Sequence, residues 1–350
     1  TQELKKANAE ISKIINKGNI EDYDQCEAIL RKALERGDNK DDGMDVFDNI
    51  GTVLDEDFRK PIRTGIKGLD EIMDGGLAKG ELAIILAAYG VGKTTMVTNL
   101  ANHAKQLGYN VMQIFFEDGV KVIQRKHMSC YTKVPLLELT SRKIEVKSEW
   151  LKFEQTPGKL KLVKLRSDNT TVPKIKQIIR KKIAQGFKPD LILIDYVDCL
   201  SPSKHFNDSN EAQGVIMREI ESMLDELDLA GWVCTQGNRQ AIKSDVVQGD
   251  QMGGSIKKAQ IGHFLLSIAK SLEQHDNGTA NIAILKSRFG KSGVVFEDIV
   301  FDNSTVQIDM SQDTQGRSFH SHGEVKEERG QDRVNQLMDV AIQRRKELEN

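Results

Sequence analysis

From Pro61 to about residue 310, short apolar runs alternate with stretches whose apolar residues recur every three or four positions. The runs are "ELAIILAA", "VMQIFF", "LKLVKL", "LILIDYV", "GWVCTQ", "HFLLSIA", "NIAILKSR" and "VFEDIVFD". Apolar runs this short describe strands buried in a sheet, and the helical periods between them describe crossovers on its faces. The predicted fold is α/β: a mainly parallel sheet flanked by helices, with antiparallel strands at one edge where the last runs follow at hairpin spacing. The texture changes outside this stretch. Residues 1–37 read as two short helices, with Leu4, Ala7, Ile11 and Ile14/Ile15 on one face and Ala28, Leu30 and Leu34 on the other helix. So small a segment has no core of its own, which predicts an arm that docks on a neighbouring subunit. Residues 38–60 are acidic and turn-rich, a linker; residues 61–310 are the main domain. Residues 311–350 read as a polar, flexible tail, with a terminal amphipathic helix expected from Val334, Leu337, Met338 and Ala341.

Charge and cysteines narrow the classes. With 350 residues and a formal net charge of −2, the chain is not coated in positive charge, so any nucleic-acid site must be local. The basic stretch "KIKQIIRKKIAQGFK" carries Ile175, Ile178, Ile179 and Ile183 on one helical face and reads as a sheet-covering helix with solvated lysines. Cys26, Cys130, Cys199 and Cys234 form no C-x-x-C pair, which points to reduced thiols in a cytoplasmic protein and away from zinc. No apolar run reaches the roughly 20 residues of a membrane span. The polar N-terminus does not read as a signal peptide.

Chemistry enters at "ILAAYGVGKTT", which follows a buried-strand pattern and opens a helical one. That context predicts a P-loop for a nucleoside triphosphate, formed by Ala88, Tyr89, Gly90, Val91, Gly92, Lys93, Thr94 and Thr95. Backbone N–H groups there cradle a phosphate at a helix N-terminus, Lys93 reaches the β/γ oxygens and the Thr94 hydroxyl ligates Mg²⁺. Ala87 stands where the usual pattern begins with glycine, which a negative φ would allow. Asp195, at the end of "LILID", is expected on a strand neighbouring the P-loop strand and holding Mg²⁺. Glu117, after "VMQIFF", is expected at the tip of another strand beside the P-loop strand, as base for the attacking water; Asp118 suits a helix N-cap. Gln236 ends a further strand at the same edge, placed to sense the γ-phosphate. Lys286 and Arg288 in "KSRFG" are two positions apart in a run that reads as a strand, so both are expected on the same side of a sheet, facing an anion.

These elements, in this order, resemble the RecA-like ATPase core and, more closely, the C-terminal motor domain of the DnaB family of hexameric replicative helicases. The resemblance runs from about Thr64 to Ile308 and rests on "TGIKGLDEIMDGGL", the P-loop, "FFED", "LILIDYVDCL", "CTQGNR", "DQMGGSIKKAQ" and "KSRFG". It implies a homo-oligomeric ring, usually of six, that moves 5′→3′ on single-stranded DNA and unwinds duplex during replication. Arg288, with Lys286 beside it, would complete the neighbouring subunit's ATP site. The family's channel loop falls on 250–260, giving Gln251, Gly253, Gly254, Ser255 and Lys257 as DNA-binding candidates, with Lys258 adding charge; Lys204 in "SPSKHFNDSN" is another. Primase, a helicase loader or a polymerase are the implied partners, in a bacterial cell or a phage-infected host. A RecA/RadA-like recombination ATPase and a KaiC-like regulatory ATPase share parts of the pattern and stay open at this stage.

Overall fold

The computed structural model describes residues 2–17 and 59–318, apart from 168, 205, 238–255 and 312–315, and the isolated positions 26, 29, 30 and 51. The chain divides into two units, residues 1–58 and 59–350. In the first, Gln2–Lys17 forms helix α1. The expected second arm helix and linker lie largely, and the expected tail helix wholly, outside the described residues.

The second unit opens with α2 (Lys67–Ile72), β1 (Leu82–Ala87), α3 (Lys93–Gln106) and β2 (Val111–Phe115). There follow α4 (Val120–Thr132), α5 (Lys143–Glu154), β3 (Leu160–Lys164), α6 (Val172–Ala184) and β4 (Leu191–Asp195). After a 3-10 turn at Val197–Cys199 come α7 (Ser209–Leu227), β5 (Ala230–Gln236), α8 (Ile256–Ile261), β6 (Phe264–Ala269) and α9 (Leu272–Asn277). The last strands are β7 (Thr279–Ser287), β8 (Val294–Asp302), β9 (Gln307–Asp309) and β10 (Arg317–Ser318).

Ten strands make one sheet in the order β10-β8-β7-β6-β1-β5-β4-β2-β3, with β9 also on β8. The run from β6 to β3 is parallel. β7, β8, β9 and β10 are antiparallel additions at one edge, as the run spacing predicts. Two expected neighbourhoods are corrected. Neither the Asp195 strand nor the Glu117 strand lies beside β1, because β5 separates β1 from β4, and β2 lies beyond β4. Apolar runs encode that a strand is buried but not which slot it takes. Here the 19-residue α7 carries the chain back so that β5 inserts against β1. Gly231 permits the fit, since a Cβ there would stand 2.4 Å from the Leu224 side chain of α7.

β1 shows how the sheet divides the core. Ala83, Ile85 and Ala87 face a layer with Met96, Val97 and Leu100 of α3, whereas Leu82, Ile84 and Leu86 face one with Ile175, Ile179, Ile216 and Ile220. All six β1 side chains are fully buried, each Ile or Leu contributing about 2 kcal/mol of apolar transfer. The basic stretch behaves as its periodicity predicts: Ile175 and Ile179 are buried, while Lys176 and Arg180 pair with Glu226 of α7.

A buried polar knot ties α3, β2 and α4 together. His127 lies between Asn102, 2.8 Å from its Nδ1, and the Gln113 amide, 2.9 Å from its Nε2. A neutral imidazole supplies one N–H, so one neighbouring amide must accept and the other donate. Complete burial, reinforced by the Lys126 charge, lowers the His127 pKa to about 3. The unfolded chain therefore binds a proton between pH 6.5 and 3 that the folded chain refuses. This contribution is complete above pH 6.5 and declines by about 1.4 kcal/mol per pH unit as acidity rises through that window. In urea melts at pH 7.5, 6 and 5, His127→Gln should be less stable than wild type at pH 7.5, with the gap narrowing toward pH 5. A constant gap would mean that this imidazole does not govern the acid response.

Candidate active site

β1 ends at Ala87 and the chain passes through Gly90, with φ 78°, and Gly92, with φ 127°, before α3 begins. Ala87 has a negative φ, as its place in the loop requires. Gly92 is fixed by a close approach as well as by φ. A Cβ there would lie 2.5 Å from the Phe301 ring and 2.7 Å from Asn303 Oδ1. The antiparallel extension thus forms the loop's outer wall, and Asn303 accepts a 2.6 Å bond from Thr95 Oγ1. The first N–H groups of α3 have no helical partner and face an open cavity of about 340 Å³.

Tyr89, Gly90, Gly92, Lys93, Thr94 and Thr95 line this cavity. Ala88 and Val91 are buried beneath the loop, so their side chains pack in the core and only backbone groups remain for a ligand. Lys93 Nζ folds back on the Ala87 and Ala88 carbonyls at 3.2 and 3.0 Å. Thr94 Oγ1 donates to Asp195 Oδ2 at 2.8 Å. Burial raises the Asp195 pKa, opposed by the Thr94 bond and then by the Lys93 and Lys126 charges. A desolvated carboxylate beside a hydroxyl suits a hard cation, since Mg²⁺ selects oxygen donors and completes its shell with phosphate and water. Among the described residues no cluster of three or more His, Cys, Asp or Glu could hold a metal without such help. The residues present therefore fit Mg²⁺ arriving with a triphosphate.

Glu117 and Gln236 complete the rim although their strands are separated by β4. Parallel register aligns these ends: Gln236 pairs with Ala87, and Asp195 with Phe115, two residues before Glu117. Glu117 is exposed and accepts a 3.1 Å bond from Tyr196 Oη. Burial, then Cys199 and Glu117, raise the Tyr196 pKa, keeping it a hydrogen-bond donor. Asp118 is not an N-cap. Gly119 occupies that position, and Asp118 pairs with Lys126 at 2.8 Å. Sequence reasoning missed Lys126, Tyr196 and Asn303 as cavity residues. Tyr196 could have been found from its place next to Asp195, whereas a helix lysine and a turn asparagine carry no local signal.

Lys286 and Arg288 do not line the cavity. The strand ends at Ser287, and the two cations meet different surroundings. Lys286 Nζ donates to the Gln260 and Ala259 carbonyls of α8 at 2.6 and 3.1 Å, and burial, then Arg288, lower its pKa. Arg288 is exposed and forms no ion pair among the described residues. Lys204 is exposed beyond the 3-10 turn and does not line the cavity. Gln251, Gly253, Gly254 and Ser255 lie outside the described residues, as does the Lys257 side chain. Lys258 is a correction: it adds no surface charge, being completely buried with its ammonium 2.5 Å from Asp198 Oδ1. Cys130 and Cys234 are buried thiols and Cys199 is half-buried. Among the described residues no helix is long and apolar enough to cross a membrane.

Residues 61–309 match the DnaB-like helicase C terminal domain. The chain is 23% identical over 275 residues to the DnaB-like replicative helicase of Enterobacteria phage T4, covering 75% of this chain and 58% of that protein. It is 24% identical over 245 residues to the replicative DNA helicase DnaB of Helicobacter pylori, covering 67% and 46%. The chain thus spans about half the length of these relatives. A DnaB-like replicative helicase described with its primase interactions superposes with a TM-score of 0.71 at 16% identity, covering 88% of this chain and 76% of that one. A second solved structure, described as an ATPase domain, superposes at 0.63 and 16% identity, covering 74% and 94%. The sheet, with its antiparallel edge, is the RecA-like ATPase fold of these structures. The recombination and signalling alternatives are not favoured: by the match over residues 61–309, the chain belongs to the DnaB-like helicase C-terminal domain family.

Proposed function

We propose that this chain is the motor of an ATP-driven, ring-forming DNA helicase that translocates 5′→3′ on single-stranded DNA and unwinds duplex during replication. The observation that carries this reading is the Thr94–Asp195 contact at the floor of a cavity rimmed by the P-loop, Glu117 and Gln236. Backbone N–H groups from Gly90 to Lys93 bind the phosphates, and Lys93 exchanges its two carbonyl partners for β/γ oxygens. Thr94 and Asp195 would hold Mg²⁺, which would neutralise charge on the phosphates. Glu117, steadied by Tyr196, takes the proton of the attacking water. Gln236 contacts the γ-phosphate and passes its loss to the loop at 240–256.

Among the described residues, the cavity's own cations are Lys93 and Lys126, and Lys126 is already paired. A further cation on the γ-phosphate is left to Arg288 of an adjacent subunit, which makes hydrolysis depend on assembly, with a six-membered ring as the expected form. The DNA strand is gripped through Lys204, Gln251, Gly253, Gly254, Ser255 and Lys257, chiefly at phosphates. Primase, a loader or a polymerase are the proposed partners, in bacterial or phage-infected cytoplasm.

Mixing two inactive variants tests the shared site. Lys93→Ala and Arg288→Ala alone should each lose about 10³-fold in DNA-stimulated ATPase, the usual worth of such a cation. Mixed rings should recover activity, because some interfaces pair an intact P-loop with an intact arginine. Failure to complement would place Arg288 outside the neighbour's site. Separately, Glu117→Gln should retain ATP binding while turnover falls by about 10²–10⁴. Turnover near wild type would remove Glu117 as the base.

A further inference from the structure

Arg59 opens the second unit, and its guanidinium is fully committed within the chain. Nε donates to Glu81 Oε1 at 2.8 Å and Nη2 to Glu81 Oε2 at 3.0 Å, a bidentate carboxylate pair. Nη2 also donates to the Gly76 carbonyl at 2.7 Å, and Nη1 to the Asp74 and Met73 carbonyls at 2.7 and 3.0 Å. A guanidinium has five N–H donors, and these bonds use them all. What remains is its flat face, and Arg59 Cζ lies over the Phe289 ring, 4.2 Å from the ring centre. Phe289 also stacks on Phe264 at the start of β6, with ring centres 6.3 Å apart. It directly follows Arg288, whose backbone N–H donates to the His263 carbonyl at 3.0 Å, while the Phe289 N–H donates to Ser287 Oγ at 3.1 Å. The backbone that carries Arg288 is thus fixed on both sides while the Arg288 side chain stays exposed.

A cation that must meet a phosphate across a subunit boundary needs placement, since a misplacement of about 1 Å can cost about 10²-fold in rate. Arg288 has no ion pair of its own among the described residues to supply it. We propose that Arg59 is a positioning residue for Arg288: stacked on Phe289, it fixes the turn from which Arg288 reaches the neighbouring subunit's γ-phosphate. This rests on the motor reading above, which gives Arg288 to the neighbour's site. Glu81, the anchor of Arg59, directly precedes β1, and His263 pairs with Leu82, the first residue of that strand. The far end of β1 leads into the P-loop. The finger that a subunit lends is therefore referenced to the same strand as the phosphate site that it keeps. A lysine at position 59 would supply the charge but neither the fork for Glu81 nor a planar face for the ring.

The test uses the full chain assembled into rings. Removing the guanidinium outright would leave Glu81 unpaired, so the main variant is Phe289→Leu, which keeps apolar bulk and removes the ring. Arg59→Lys is the second. Both should fold, bind ATP and assemble, with KM for ATP unchanged while DNA-stimulated kcat falls by about 10- to 100-fold. Phe289→Tyr, which keeps the ring face, should stay near wild type. Mixing then shows whether the defect runs through Arg288. Phe289→Leu mixed with Lys93→Ala should recover activity, because the intact P-loop of one variant meets a well-placed Arg288 of the other. Mixed with Arg288→Ala it should not, since neither variant lends a working finger. Wild-type turnover in either folded variant overturns the proposal. So does recovery with Arg288→Ala, no recovery with Lys93→Ala, or failure of both variants to fold or assemble, each of which makes the stack structural only. If Lys93→Ala and Arg288→Ala fail to complement each other in the same experiment, the shared-site reading falls instead, and this inference with it.

Discussion

The site depends on one constraint: the register of the parallel ladder β1-β5-β4-β2. Its carboxyl ends deliver the P-loop, Gln236, Asp195 and Glu117 from four segments spread over about 150 residues of chain. Ala87 opposite Gln236 and Phe115 opposite Asp195 are consequences of that register. A slip of one residue would send every β1 side chain to the opposite layer, exchanging Ile85 and Ala87 for Ile84 and Leu86. The apolar core therefore enforces the spacing of the polar rim. Burial of Asp195 and the hydrogen bond it accepts from Thr94 follow from the same alignment.

The antiparallel extension has two tasks. The turn after β8 seals the P-loop from outside, where the Phe301 ring and Asn303 crowd Gly92 and exclude any side chain there. The end of β7 carries Lys286 and leads to the exposed Arg288. Because β7 and β8 pair directly, the loop's wall and the outward cation belong to one hydrogen-bonded unit. Arg59 steadies the turn beyond: its guanidinium lies 4.2 Å from the Phe289 ring centre and also bonds Glu81 and the Gly76 carbonyl. The residue after Arg288 is thereby held from the start of the folded unit.

Much of this was legible because strand ends are legible. A buried apolar run that stops at Asp195 or Gln236 tells where the chain leaves the sheet, and a P-loop tells which edge matters. Strand order was not legible, since the same apolar run serves in any interior slot; hence β5, not β4 or β2, is the neighbour of β1. Long-range pairings were equally hidden. Lys258 reads as half of a surface Lys-Lys pair, and only the fold brings Asp198 to it from sixty positions earlier. Asn303 reads as an ordinary turn former until β8 places it against Thr95.

The fate of the cations links these points. Near the site, Lys126 is held by Asp118, Lys258 by Asp198 and Lys286 by two helix carbonyls, while Lys93 rests on P-loop carbonyls that a phosphate can outcompete. A lysine committed to carbonyls is poorly placed to answer a new anion at a distance, because it must first give up solvated or bonded partners. A guanidinium already facing outward loses little on meeting one, and its planar fork can engage two phosphate oxygens together. On the motor reading, this asymmetry makes Arg288 the residue that senses the neighbouring nucleotide directly.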